Sequence, residues 1–230
     1  MRSLLALIAA VVLLAGSANA LCGVPQPRLV CAEYFQKQAV VTARLVSIRH
    51  FAPKDRDDYY LFTMETEQVL RGRIPQRFRV IEENNSGRTG IDWNRGDSYL
   101  LFTSYAAAER TWSLESCGNS GRLSESEHVL QEIRELRNPG RGGTIQGLVR
   151  FDPNATVLIR GIHRDLKVTA QTNQDGEFKA NVPSGSYTAW PTHKGMQFEV
   201  DLMSYENPRK IKMENGRCAQ MQFNALERKK

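Results

Sequence analysis

The stretch Tyr59-Tyr60-Leu61-Phe62-Thr63-Met64-Glu65-Thr66-Glu67-Gln68-Val69 decides the fold class. Tyr60, Phe62 and Met64 alternate with Leu61, Thr63 and Glu65. Side chains on a strand point to opposite faces with a period of two, so the pattern predicts a strand with one face on a core. Working outward, Pro53 to Asp58 is a turn, and Ala39 to His50 before it reads as another strand. There Val41, Ala43 and Leu45 line one face, and Val40, Thr42 and Arg44 the other. Downstream, Gly72 and Pro75 break the pattern and Arg77 to Ile81 forms a third strand. Asn84 to Gly96, rich in Gly, Asn and Asp, predicts a long loop, and Ser98 to Thr103 and Thr111 to Leu114 complete the set of strands. Short strands divided by turn residues predict a barrel or a sandwich.

One helix follows. Ser124 with Glu127 three residues on has the form of a capping box, in which two side chains satisfy free amides at a helix start. Val129, Leu130, Ile133 and Leu136 recur at helical spacing, and Arg134 and Arg137 stand in the last turn, where the helix dipole favours cations. Asn138-Pro139-Gly140-Arg141-Gly142-Gly143 stops the helix and reads as a linker, residues 138–143. Beyond it, seven or eight short strands lie between Thr144 and Phe223. Asn173-Gln174-Asp175-Gly176 and Pro183-Ser184-Gly185 are the clearest turns, their glycines supplying positive φ. The expected organisation is mainly β: a first domain over 21–137, a small β-sandwich over 144–226 and a basic tail over 227–230.

Residues 1–20 have the form of an export signal. Met1-Arg2-Ser3 is a positive start, Leu4 to Ala15 is apolar, and Gly16 to Ala20 supplies small residues for cleavage after Ala20. The apolar run is too short to cross a bilayer core of about 30 Å as a helix, and no later run is apolar enough, so no membrane span is expected. Leu21 stands where a lipoprotein signal needs Gly or Ala before Cys22, which argues against lipidation. A secreted location, extracellular or periplasmic, is therefore expected.

Cys22, Cys31, Cys117 and Cys218 form an even set behind an export signal, which reads as disulfides. Four cysteines allow three connectivities, and spacing alone does not choose among them. There is no C-x-x-C pair, and His50, His128, His163 and His193 are scattered, so neither a metal nor another cofactor is expected. The formal charge of +6 is spread along the chain with no basic stripe interleaved with aromatics, so nucleic acid is not an expected partner. Such a surface has at most a weak attraction for anionic envelope polymers or lipids.

Two families supply further expectations. Cys22-Gly23-Val24-Pro25-Gln26-Pro27, then Phe35 and Ala39 to Val46, then Gly96-Asp97-Ser98-Tyr99-Leu100-Leu101-Phe102, then Ser113-Leu114-Glu115-Ser116-Cys117 resemble, in order and spacing, the netrin-like domain of tissue inhibitors of metalloproteinases. The resemblance covers about half of the exported chain and implies a five-stranded OB-type barrel with one C-terminal helix. The family's usual cysteine before the G-x-x-Y strand is missing from Gly90-Ile91-Asp92-Trp93. Gly143 to Leu226 resembles the carboxypeptidase regulatory-like domain, a transthyretin-like sandwich without peptidase residues. The carriers are Ile145 to Val149, Thr172 to Phe178 and Val182 to Tyr187. In a closed barrel, Cys31 before the first strand and Cys117 after the last lie near one end, so a Cys31–Cys117 disulfide is expected. Cys218 then pairs with Cys22 or stays free.

Candidate sites point away from catalysis. No G-x-S-x-G elbow is present and no histidine has an evident partner. Asp55, Asp57 and Asp58 crowd one turn but lack the Gly and closing Glu of a calcium loop. Glu82 and Glu83 are adjacent and so face opposite ways on a strand. Arg95-Gly96-Asp97 matches an adhesion tripeptide at a length where matches are cheap, and Trp93, Trp112 and Trp190 read as packing residues. A non-enzymatic module that binds an unknown protein partner through the barrel face or the Asn84 to Gly96 loop is the leading expectation. The alternative is inhibition of a zinc endopeptidase through the edge Leu21, Cys22, Gly23, Val24 and Pro25. The resemblance implies that an N-terminal cysteine would offer its amine and carbonyl to the zinc. Leu21 displaces that amine by one residue, and Val24 stands where the family has its second cysteine.

Overall fold

The computed structural model describes residues 28–55, 57–85, 88–202 and 204–227. Its first half runs α1 (Val30–Gln36), β1 (Ala39–Phe51), β2 (Tyr59–Gly72), β3 (Arg77–Glu83), β4 (Ser98–Ala106), β5 (Thr111–Leu114), β6 (Gly121–Arg122) and α2 (Glu127–Leu136). Hydrogen-bonded neighbours follow the order β1-β2-β3-β5-β4, and β4 pairs back on β1, from Ala39 with Thr103 to Arg44 with Ser98. Within this ring β3 and β5 run parallel and the other pairings are antiparallel.

Alternation along β1 and β4 feeds two cores. Val41, Ala43, Leu45, Tyr99 and Leu101 join Phe62, Met64, Phe78 and Val80 inside the ring. Val40, Leu100 and Phe102 face outward, where Val30 and Tyr34 of α1 and Val129 and Ile133 of α2 cover them. Both helices are therefore lids on one outer face of the sheet. In β1, Leu45 pairs with Met64 and Ser47 with Thr63, leaving Val46 as an extra residue. This bulge reverses the facing, so that Ile48 and His50 now stand opposite Phe62 and Tyr60.

The helix expected after residue 123 is present, but its start differs. Leu123–Glu125 forms a 3-10 turn and α2 begins at Glu127 with Ser126 as its N-cap, which makes no side-chain cap bond. The Ser126 hydroxyl instead donates to the Arg122 carbonyl at 2.8 Å. The capping box of Ser124 and Glu127 is not formed, because the tight turn takes Ser124 out of the cap position.

The second half holds β7 (Gly143–Arg150), β8 (Thr156–Gly161), β9 (Lys167–Gln171), β10 (Glu177–Val182), β11 (Gly185–Thr192), β12 (Met196–Val200), β13 (Ile211–Met213) and β14 (Cys218–Glu227). They form two four-stranded sheets, β10-β7-β14-β12 and β13-β11-β8-β9, around one core that includes Ile145, Val149, Phe178, Tyr187 and Phe223. Gly147 is required by close approach: a Cβ there would lie 1.9 Å from the Met221 carbonyl on the parallel neighbour β14. Gly176 closes the turn before β10 at φ +81, with its amide on the Asn173 carbonyl at 2.9 Å.

The disulfide pairing corrects the expectation. Cys31 on α1 is bonded to Cys218 at the start of β14, with Cα atoms 5.3 Å apart across 187 residues of sequence. Cys31–Cys117 is therefore not the bridge, and Cys218 neither pairs with Cys22 nor stays free. The reason lies in α1, which docks on β14: the Leu29 amide at its N-cap donates to Gln220 Oε1 at 3.0 Å, turning Cys31 toward the second half. Cys117 is disulfide-bonded as well, and no described cysteine is free.

Candidate binding site

The connection from β3 to β4, residues 84–97, is the long loop expected from its composition, and it is fastened from below. Glu82 at the end of β3 is buried. Its carboxylate accepts the Thr89 amide at 2.8 Å, the Thr89 hydroxyl and Trp93 Nε1 at 3.2 Å. Glu83 beside it is exposed, as the strand period requires. Trp93 stacks on Phe62 with centroids 4.3 Å apart and meets the Tyr99 ring at a tilt, 4.6 Å away. The column continues through Tyr60 to His50, whose rings are 4.8 Å apart at the hairpin tip. Tyr99 is fully buried, and its hydroxyl accepts the Asn94 amide at 2.6 Å and donates to the Asp92 carbonyl at 3.1 Å.

Both ends of the loop are tied too. The Asn84 amide donates to the Asp58 carbonyl at 2.7 Å, and the Asn85 side chain reaches the Asp57 carboxylate at 3.3 Å. Asp58 also meets His50 Nε2 at 3.1 Å. The His50 hydrogen bond, helped by Asn84, holds the Asp58 carboxyl below its ordinary value. At the other end, Gly96 donates to the Leu45 carbonyl at 2.8 Å and Leu45 to that of Asp97 at 2.9 Å. The crowded acidic turn is thus an anchor for the loop.

A cleft of about 280 Å³ opens beside the loop, lined by Asp92, Glu115, Ser120, Arg122 and Glu125 among others. Arg122 organises its charge, reaching Asp92 at 2.8 Å, Asp97 at 3.4 Å and Glu125 at 3.7 Å. Asp97 of the Arg95-Gly96-Asp97 tripeptide is therefore engaged, whereas Arg95 is exposed. The three tryptophans pack: Trp93 and Trp112 on the ring interior, Trp190 against Phe223 at 5.5 Å.

Two histidines have carboxylate partners that the spacing concealed: His50 with Asp58, and His193 Nδ1 with Asp152 at 2.7 Å. Asp152 also accepts the Asn154 amide at 3.0 Å, so both pairs fasten turns. A larger open cleft of about 960 Å³ has Cys31, Arg141, Ser184, Asn215 and Cys218 among its walls. The Asn215 side-chain oxygen Oδ1 accepts the Gly142 amide at 2.8 Å and the Ser184 hydroxyl, so its role there is to hold turns together. Among the described residues no three His, Cys, Asp or Glu side chains cluster where a metal would bind, and no helix is long and apolar enough to cross a membrane.

Between the halves lies a polar seam that was not foreseen. Glu33 of α1 is fully buried and accepts the Asn119 amide at 2.7 Å and its side chain at 2.8 Å. Burial pushes its carboxyl above the ordinary value, against the lowering effect of Asn119 and Lys37. Arg28 lies 3.9 Å from the Tyr205 ring centroid and donates to Gln36, which in turn reaches the Tyr205 carbonyl at 3.1 Å. Burial likewise raises the Tyr205 phenol. Arg217 and Glu206 form a shielded ion pair at 2.8 Å. The proposed inhibitory edge, Leu21 to Pro25, lies outside the described residues.

The chain matches no protein-family model and no curated protein.

Proposed function

We infer that the chain is an exported, non-enzymatic module that binds a protein partner through the 84–97 end of its first half. The observation that carries this reading is the described part of the loop, residues 84–85 and 88–97, fixed at its start by Asp57 and Asp58, in its middle by Glu82 and Tyr99, and at its end by Leu45. A loop already ordered by its scaffold loses little conformational entropy on binding, which is how rigid frames support recognition. The exposed charges of Asp92 and Arg95 are suited to steering and register. The ring order with β3 parallel to β5 supports an OB-type barrel of the netrin-like kind, and two sheets over one core support a transthyretin-like sandwich. The export-signal form and the Cys31–Cys218 disulfide support an oxidising compartment.

Site-specific photocrosslinking in the producing cells tests the reading. A photoreactive residue at Arg95 is expected to trap one discrete protein, while one at exposed Lys167 on β9 traps none. Equal trapping at both positions, or none at Arg95, contradicts it.

A further inference from the structure

Beyond Leu45, one edge of β1 has no strand paired with it among the described residues. β1 pairs with β4 only from Ala39 to Arg44, and Leu45 bonds to Gly96 and Asp97 of the loop. From Val46 to Phe51 the backbone pairs with β2 alone, among the described residues. Ile48 is 39% exposed at this edge, and Arg49 and His50 are exposed. Phe51 stacks on Tyr59 with centroids 5.0 Å apart. The strand behind the edge is stiffened by the aromatic column from His50 to Tyr99. The edge also continues directly from the point where the 84–97 loop leaves Leu45, so loop and edge form one continuous margin.

An unpaired strand edge is a template for another strand, and natural edges are commonly blunted by charge or a bulge. Here the Val46 bulge and Arg49 do that, yet the charge is of one sign. β1 contains no Asp or Glu. Arg44 is held by Glu65 at 2.7 Å and His50 by Asp58 at 3.1 Å, but Arg49 has no ion-pair partner among the described residues. Antiparallel pairing of two copies centred on Arg49 would set two unpaired guanidinium groups opposite each other, which disfavours a homodimer in that register. A strand carrying carboxylates meets the opposite situation.

We propose that the Val46–Phe51 edge of β1 takes up an extended acidic segment of the partner protein as an added strand, next to the 92–97 part of the loop. Main-chain hydrogen bonds supply affinity in this mode of recognition, and alternate side chains supply selectivity. Arg49 selects a carboxylate and Phe51, on the same face, an apolar side chain beside it, while Ile48 meets an apolar side chain on the other face. The proposal rests on the binding reading and gives it a mode.

The test uses the exported protein labelled with nitrogen-15 and two synthetic peptides, one of alternating valine, threonine and glutamate, the other with lysine for every glutamate. The glutamate peptide is expected to shift the amides of Val46–Phe51 and to slow their hydrogen exchange, with the lysine peptide binding about tenfold more weakly. Arg49→Glu, at an exposed position, reverses that preference. Shifts confined to other strands, equal binding of both peptides, or no binding of either overturn the proposal. So does a dimer in sedimentation whose amides are protected at Val46–Phe51 without peptide. Crosslinking at Arg95 that persists while the edge stays silent removes the strand-addition mode and leaves the binding reading standing. Loss of both removes both.

Discussion

At the scale of single residues, Glu33 has the largest consequence. A fully buried carboxylate normally needs several donors, and two of those Glu33 has come from Asn119. Its ordinary value is 4.5, and burial raises it in the folded protein. A raised carboxyl contributes stability that is fully present below the unfolded value and lost as pH rises through the folded one. Glu33→Gln stays neutral and keeps an oxygen for Asn119, so it does not lose that contribution. The stability of the variant relative to the native chain is therefore expected to rise as pH increases above the unfolded value. The change amounts to about 1.4 kcal/mol for each pH unit separating the two values. Thermal unfolding across roughly pH 4 to 8 checks this, and a constant difference between the two proteins contradicts it. Glu33 was not legible in the sequence because a single carboxylate ahead of a strand carries no periodic signal. Glu82 was half legible: the strand period set it on the face opposite Glu83, but its partners Thr89 and Trp93 depend on the path of the loop.

At the scale of elements, local signals were read where they were sufficient. The strand Thr111–Leu114 agrees with its expected limits, because turns close it at both ends. α1 was missed for a physical reason: Leu29 is its N-cap and makes no side-chain bond, so Val30–Gln36 has no start signal and fewer residues than a stable isolated helix needs. The bulge at Val46 was equally invisible, since it is a property of pairing between strands. At α2, the displaced cap makes a specific prediction. Ser124→Ala is expected to change stability by less than about 0.5 kcal/mol, the range of surface substitutions. Ser126→Ala removes the buried hydroxyl bond to Arg122 and is expected to cost about 1 kcal/mol. Denaturant midpoints of the two variants decide, and a larger loss at Ser124 would restore the capping box.

At the scale of the whole molecule, the halves are joined by more than a linker. Gly142 is bound to Asn215 and Gly216, Arg28 and Gln36 meet Tyr205, and Cys31 is bonded to Cys218. Closing a loop of 187 residues is worth about 5 kcal/mol in the chain-entropy picture. No spacing rule in the sequence links two cysteines so far apart; only the docking of α1 on β14 brings them together. A binding surface on the first half gains from this lock, because α1 stands between the second half and the ring that carries the loop. The direct measurement of the lock is cleavage at exposed Arg141, followed by denaturing electrophoresis with and without reductant and by mapping of the unreduced peptides. The two fragments are expected to separate only after reduction, with peptides linking Cys31 to Cys218 and, from the remaining pair, Cys22 to Cys117. Fragments that separate without reductant, or a recovered Cys31–Cys117 peptide, contradict the lock and the arrangement of the two halves built on it.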